Sequence, residues 1–135
     1  MEIYGLLIKK QYLDLILGGS KLWELRSRNT SRRGIICLIE SGSGLIKGIA
    51  DLNSTIKLDK TTYDDNYELH QIGIPYEDCR WNKYAWEFDS VEVLDHPIAY
   101  QHPQGAVIWV NLSDKILNSK DKDLLENMIA TYHEV

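Results

Sequence analysis

Apolar and polar residues alternate over short stretches in the first part of the chain, and this pattern predicts strands with one short helix between them. Residues 2–8 are rich in Ile, Leu and Tyr and are too few for a stable helix, so we expect a strand there. Residues 11–17 are mostly apolar, and Gly18 and Gly19 follow them as residues that commonly end a helix. Residues 11–17 therefore predict a helix of about two turns.

The next segment, residues 21–28, alternates with a period of two. Because successive side chains of a strand point to opposite faces, Glu24, Arg26 and Arg28 share one face and Trp23 lies on the other. We therefore expect a strand with one polar face and one buried face.

The remaining pattern predicts mainly further strands. A helix is expected over residues 63–73, an irregularity near Asp89-Ser90, and a helical C-terminal extension over residues 113–135 with apolar residues on one face. Further strands are expected in residues 34–40, 45–52, 84–94 and 105–112.

Five or six short strands with few helices indicate an α+β protein built on a small, mostly antiparallel β-barrel with flanking helices. A parallel βαβ architecture would need helices between most strands, and the pattern lacks them. A chain of 135 residues favours a single domain over residues 1–135, with residues 113–135 as its extension.

Composition adds limits on the class of protein. Apolar residues make up 44% and charged residues 26%, which is typical of a globular protein. Cys37 lies in an apolar run, and neither it nor Cys79 belongs to a CxxC pair, so we expect no metal site and no cofactor. We find no signal region and no long apolar stretch, and we expect a cytoplasmic protein with no membrane partner.

The charge is unevenly distributed along the chain. The net charge is −5, which argues against a protein that coats nucleic acid. Residues 20–33 nevertheless hold five Lys or Arg residues against a single acid, Glu24. Such a local basic segment could hold one phosphate-bearing ligand without attracting bulk polyanion.

Four segments of the sequence, in order, resemble the ASCH domain family. The first segment has the family's signature: a glycine, then a lysine, then a glutamate three residues after the lysine and an arginine two residues after the glutamate. Together the segments cover roughly residues 3–112. They are Gly18-Gly-Ser-Lys-Leu-Trp-Glu-Leu-Arg26, Leu38-Ile-Glu-Ser-Gly-Ser-Gly44, Tyr84-Ala-Trp-Glu-Phe88 and His102-Pro-Gln-Gly-Ala-Val-Ile-Trp-Val110.

The resemblance implies a PUA-like β-barrel with a cleft lined by the Lys21, Glu24 and Arg26 segment. Members of the family are associated with RNA or modified-nucleotide binding, some hydrolyse the acetyl amide of N4-acetylcytidine, and others are described as ribonucleases. The amidohydrolase members carry a threonine nucleophile where this chain has Glu24. This difference argues against the same covalent mechanism here.

The candidate chemistry centres on the same strand. Lys21 follows the helix stop, so we expect it at the rim of a cleft, where it could contact phosphate or act as a base. With Glu24 it forms the candidate catalytic pair. Glu24 could also accept a hydrogen bond from an exocyclic amine of a base. Arg26 and Arg28 could bind a phosphate or a base carbonyl. A structural ion pair between Glu24 and Arg26 is the alternative.

Further binding candidates lie outside that strand. The loop residues Ser41, Gly42 and Ser43 could offer backbone N–H groups to a phosphate, although a tight turn is the commoner use of such a sequence. Tyr84 and Trp86 share a strand face and are the predicted stacking residues for a base.

The sequence leaves four functions open. The leading one is binding of RNA or a nucleotide or nucleoside, by a monomer or a dimer. The others are hydrolysis of an N4-acetylcytidine-like amide by Lys21 and Glu24, cleavage of single-stranded RNA, and interaction of the acidic remainder of the chain with a basic protein.

Overall fold

The structure is a computed structural model that describes residues 1–132. It contains six strands and, in that range, four α-helices and one short 3-10 helix. The strands are Tyr4–Ile8 (β1), Trp23–Arg26 (β2), Gly34–Glu40 (β3), Leu45–Lys57 (β4), Tyr84–Ala99 (β5) and Trp109–Asn111 (β6). The helices are Lys10–Leu17 (α1), Lys60–Asp65 (α2), Tyr67–His70 (α3) and Ser119–Tyr132 (α4), with Tyr76–Asp78 as the 3-10 helix.

All six strands belong to one curled sheet in the order β2-β5-β4-β3-β1-β6. Every neighbouring pair is antiparallel except β1 and β3, which run parallel with Leu6 opposite Leu38. A parallel pair needs a crossover, and α1 with β2 provides it. The sheet forms a half-barrel with flanking helices, which confirms the α+β, mostly antiparallel fold expected from the sequence.

Strands β4 and β5 form the long central hairpin of the sheet, and their pairing is interrupted by register shifts. Ala50 pairs with Val91 and Leu52 pairs with Phe88, so one residue of β4 stands opposite Asp89 and Ser90 of β5. This is a β-bulge at the irregularity that the sequence predicts, and it bends the hairpin around the core.

Two predicted elements have different bounds in the structure. The helix expected over residues 63–73 is two short helices, because Asn66 leaves helical geometry at φ −124° and ψ 33°. The strand expected over residues 105–112 shortens to β6, because a turn closed by the bond from the Ala106 N–H to the Pro103 carbonyl oxygen precedes it.

The core consists of three apolar clusters, of which two frame the pocket described below. One contains Leu13 and Ile16 of α1 packed on Trp86. Another contains Trp23 and Leu25 of β2, covered by the α2–α3 segment. In the third cluster Leu125 and Ile129 of α4 pack on the sheet. Helix α4 lies within the predicted extension, of which residues 133–135 fall outside the described range.

No helix within residues 1–132 is both long enough and apolar enough to cross a membrane.

Candidate functional site

A concave pocket of about 280 Å³ opens beside strand β2, between the start of α1 and the residues that precede β6. Glu24 and Arg26 form its floor, and Arg28 lies at its edge. All three residues of the polar face predicted for β2 therefore line one pocket. The other lining residues are Leu7, Lys9, Tyr12, Leu25, Ser27, Ser41, Ile72, Trp81, Trp86, Val107 and Ile108.

Arg26 is fixed in the floor by bonds to two elements. Its Nε and Nη2 donate to Oε2 of Glu24 at 3.1 and 2.9 Å, and Nη2 also donates to the Leu7 carbonyl oxygen at 2.7 Å. The guanidinium lies over the Trp86 ring, 5.5 Å from its centroid. Within residues 1–132 its Nη1 has no hydrogen-bond partner, so this nitrogen remains available to a ligand.

Lys21 lies behind Glu24 and not at the rim where the sequence led us to expect it. Its side chain is fully buried, and Nζ donates to the carbonyl oxygens of Trp23 and His70, both at 2.6 Å. Nζ also lies 3.6 Å from Oε1 of Glu24. The rim position was wrong because the α2–α3 segment covers this residue from a distant part of the chain. Burial lowers the pKa of Lys21, and the neighbouring Glu24 carboxylate opposes that shift.

The buried charges of the site do not cancel. Lys21 and Arg26 share one carboxylate, Glu24, which leaves a net positive floor. Lys9 and Arg28 are exposed at the edge of the same pocket and add positive charge. Charges of one sign in a concave site reinforce one another, so this arrangement gives the pocket a positive potential.

One wall of the pocket is aromatic. The rings of Tyr12 and Trp81 meet edge to face with centroids 6.1 Å apart, and Lys9 Nζ lies 5.3 Å from the centroid of the Trp81 ring. Both side chains are half-buried, so each presents surface to the cavity. These two rings are the aromatic surfaces against which a flat ligand could stack.

The predicted stacking residues have other surroundings. Trp86 is only 2% exposed, stacks on Trp109 with centroids 5.7 Å apart, and donates from Nε1 to the Arg28 carbonyl oxygen. It contributes to the floor, and Arg26 lies over its ring. Tyr84 pairs with Arg26 across the strands but does not line the pocket.

The predicted glycine-rich loop reaches the pocket through one residue. Ser41 lies at the edge of the cavity and is exposed. The Ser43 hydroxyl donates to the Glu40 carbonyl oxygen and accepts from the Leu45 N–H, so it stabilises the turn. Gly42 has a φ of +81°, which the turn requires and which favours glycine.

No family model and no curated protein matches the sequence of this chain. Solved structures do match. The crystal structure of ASCH from Zymomonas mobilis has a TM-score of 0.64 at 15% sequence identity, covering 91% of this chain and 93% of that chain. The chain has an ASCH-like fold.

Structures of two variants of the same Zymomonas mobilis protein agree with this assignment. A tyrosine-to-phenylalanine variant has a TM-score of 0.64 at 15% identity and covers 93% of this chain and 98% of that chain. A serine-to-alanine variant has a TM-score of 0.63 at 14% identity, with coverage of 93% and 94%. The ASCH-like fold thus extends over nearly the whole chain.

Within the ASCH-like fold, several pocket residues lie outside the predicted site. Lys9 immediately precedes α1, Tyr12 lies on α1, and Trp81 lies in the loop after the 3-10 helix. The sequence carries a signal for Tyr12, because it is the aromatic residue of the predicted short helix and is next to Leu13, which is buried; Tyr12 itself is half-buried. Trp81 has no such signal, because it lies in an irregular loop. Among the described residues no three His, Cys, Asp or Glu side chains converge on a metal-sized site.

Proposed function

We propose that this chain binds a nucleotide, either free or as one unit of an RNA strand, with its base in the pocket. The observation that carries this proposal is the floor, where the buried Glu24 carboxylate and the Arg26 guanidinium are held side by side. This pair offers a ligand an acceptor and a donor at adjacent positions. The edge of a nucleobase presents the complementary groups.

The size of the pocket supports one unit and not a longer ligand inside it. Drug-sized ligands occupy pockets of roughly 300–1,000 Å³. The cavity of about 280 Å³ lies just below that range. A base with part of its sugar is the ligand we expect within, and the phosphate would extend to the edge, where Lys9 and Arg28 lie.

The environment of Glu24 favours recognition of an amino group. Its Oε2 accepts two bonds from Arg26, whereas Oε1 lies 3.6 Å from Lys21 Nζ. Glu24 lines the pocket, and its carboxylate has acceptor sites beyond those that Arg26 and Lys21 occupy. An exocyclic amine, such as that of cytosine, is a suitable donor for it.

The placement of Lys21 favours binding over catalysis. A general base must come within hydrogen-bond reach of the proton that it removes. Lys21 does not line the pocket, and all of the contacts described above direct its ammonium toward carbonyl oxygens and Glu24. We infer that Lys21 fixes the charge state of the floor and does not contact the ligand.

One observation favours hydrolysis of an acetylated cytidine as a second candidate. Burial lowers the pKa of Lys21, and an amine with a lowered pKa is neutral in a larger fraction of molecules and so available as a general base. In this case a water molecule would attack the acetyl carbonyl carbon, Glu24 would pass the proton of the water to Lys21 and return it to the departing cytosine amine, and acetate would leave. Glu24 lines the pocket, so Lys21 can stay behind it in this mechanism.

Calorimetric titration at low salt tests the binding proposal, with cytidine monophosphate, uridine monophosphate and N4-acetylcytidine as probes. We expect saturable binding, with the cytidine nucleotide bound more tightly than the uridine nucleotide. Glu24→Gln should remove that preference, because an amide presents a donor as well as an acceptor. Arg28→Ala should weaken binding of both monophosphates and reduce its dependence on salt, whereas Lys120→Ala, at an exposed position of α4, should change nothing.

Two outcomes would reject these ideas. If no probe binds at low salt, the binding proposal fails. If N4-acetylcytidine is converted to cytidine and Lys21→Met abolishes the conversion, hydrolysis replaces binding as the function of the pocket.

A further inference from the structure

The imidazole of His70 is buried beside the pocket without lining it. The residue is 1% exposed. Its ring stacks on Tyr63 with centroids 4.3 Å apart and meets the Tyr67 ring at 90°. His70 lies immediately before the segment that reaches the pocket through Ile72.

Both ring nitrogens of His70 bond to backbone groups, and this determines the tautomer. The Ile72 N–H donates to Nδ1 at 2.9 Å, and Nε2 lies 2.8 Å from the Tyr63 carbonyl oxygen. A backbone N–H can only donate and a carbonyl can only accept. The ring is therefore neutral, with its proton on Nε2.

The backbone of His70 contacts the buried charges of the site. Its carbonyl oxygen accepts from Lys21 Nζ at 2.6 Å, and the same Nζ lies 3.6 Å from Glu24 Oε1. Gln71 has a φ of +59°, a left-handed conformation that turns the chain at this point. The turn lets the His70 carbonyl face Lys21 while the Ile72 N–H faces the imidazole ring.

We propose that neutral His70 is a positioning residue for the pocket, and that protonation of its ring in acid displaces Ile72 and the Lys21–Glu24 pair and weakens ligand binding. A proton on Nδ1 would face the Ile72 N–H, so that two donors would meet and that bond would be lost. It would also add a second cation behind Lys21. This inference rests on the proposed function of the pocket.

The groups that face His70 set the direction of the effect. Burial lowers its pKa, and the charge of Lys21 acts in the same sense. The bond to the Tyr63 carbonyl and the charge of Asp64 oppose the shift, and Tyr67 contributes an uncharged ring. A second groove, lined by His70, Tyr67 and Asp64, borders the ring and gives a proton access.

The direction of the pH effect follows from the linkage between proton binding and folding. A histidine with a lowered pKa in the folded state stabilises the fold above the ordinary value of 6.5 and loses that contribution as pH falls toward its folded pKa. The same linkage applies to the ligand, because the proposal is that it binds the form with neutral His70. Ligand affinity should be constant near pH 7.5, and it should fall by about tenfold for each pH unit below the pKa of His70 in the free protein.

Two substitutions of His70 separate titration from packing. His70→Asn retains an oxygen that accepts from the Ile72 N–H but does not titrate, so binding should persist and decline less in acid than in the wild type. Protonation of the ligand phosphate, which has a second pKa of about 6, is common to all variants. His70→Gln retains the amide donor toward Tyr63 without that acceptor, so binding should be weaker at every pH. His96→Asn is the control, because His96 is exposed and pairs with Asp121 of α4; it should retain the acid decline.

The experiment measures binding of cytidine monophosphate from pH 5 to 8 together with hydrogen exchange of the Ile72 amide without ligand. We expect the protection factor of the Ile72 amide, which corrects its exchange rate for the intrinsic pH dependence of amide exchange, to fall in acid in the wild type but not in His70→Asn. If nothing binds while Ile72 shows this His70-dependent change, the proposed function fails and His70 still positions the segment. If binding occurs but the wild type and His70→Asn have the same pH profile, or if Ile72 exchange does not depend on His70, the inference is overturned.

Discussion

Nη2 of Arg26 donates to the carbonyl oxygen of Leu7 at 2.7 Å, and this bond joins two strands that are not neighbours in the sheet. Arg26 lies on β2 and Leu7 on β1, with β5, β4 and β3 between them in the strand order. The curl of the sheet brings the two strands together. The bond that spans the half-barrel is therefore also part of the pocket floor.

Replacing Arg26 by lysine should destabilise the fold although it keeps the charge. The guanidinium bonds to Glu24 and to Leu7 at the same time, and an ammonium on a flexible chain cannot reproduce that planar geometry. We expect Arg26→Lys to lower the free energy of unfolding by about 2 kcal/mol, since hydrogen bonds to charged groups contribute about 1.5–3 kcal/mol each. Urea denaturation measures the change.

The matched control for that substitution is Arg80→Lys. Arg80 is exposed, and an exposed substitution of this kind should change the free energy of unfolding by less than about 0.5 kcal/mol. Equal unfolding midpoints for Arg26→Lys and Arg80→Lys would show that the connection between β2 and β1 does not stabilise the fold.

Removal of the buried ammonium should cost more than removal of an exposed one. In Lys21→Met the carbonyl oxygens of Trp23 and His70 lose their donor, and Glu24 keeps Arg26 as its partner. We expect a loss of about 3 kcal/mol in the free energy of unfolding, as for other broken buried ion pairs. Lys10→Met, which removes an exposed pair with Asp14, should leave the free energy of unfolding nearly unchanged, because solvent screens such a pair. A Lys21→Met protein as stable as the wild type would contradict the structural role of Lys21.

A close approach between β4 and β5 makes Gly48 sensitive to a single methyl group. A Cβ on this residue would lie 2.8 Å from the Glu92 carbonyl oxygen and 2.8 Å from Leu17 Cδ2. The Leu17 side chain can shift, but the carbonyl belongs to the paired strand and cannot. Gly48→Ala should therefore lower the free energy of unfolding by about 1–3 kcal/mol in thermal or urea denaturation.

Gly73 provides the comparison within the same chain. A Cβ there would meet nothing within 4 Å, and the residue is exposed. Gly73→Ala should leave stability within about 0.5 kcal/mol of the wild type. If both alanine variants unfold at the same temperature, the packing between β4 and β5 is looser than the structure indicates.

The elements of this fold could be predicted from the sequence because their signals are local. Strand β3 has the predicted bounds of residues 34–40, and the bulge at Asp89-Ser90 follows from the break in alternation. Alternation also places Glu24 and Arg26 on one face. What covers a face is not local information, and this is why the burial of Lys21 under the His70 carbonyl could not be anticipated.

The aromatic wall of the pocket shows the same limit. Tyr84 and Trp86 are adjacent in the strand pattern, which made them the natural stacking candidates. Trp86 is instead covered by Arg26 and Trp109, whereas Trp81 reaches the cavity from a loop. A loop residue has no periodicity, so its direction depends on tertiary contacts such as the one between the Trp81 and Tyr12 rings.

Trp81 should therefore be the residue whose aromatic ring supports ligand binding. Stacking of a base on an aromatic side chain contributes about 1–3 kcal/mol, or roughly 5- to 150-fold in affinity. We expect Trp81→Leu, which keeps an apolar side chain without a flat π face, to weaken cytidine monophosphate binding by such a factor, and Trp81→Phe to weaken it much less. Calorimetric titration at constant pH and salt measures both. Equal affinities for the leucine and phenylalanine variants would show that Trp81 contributes apolar contact and not stacking, and the base would then lie elsewhere in the pocket.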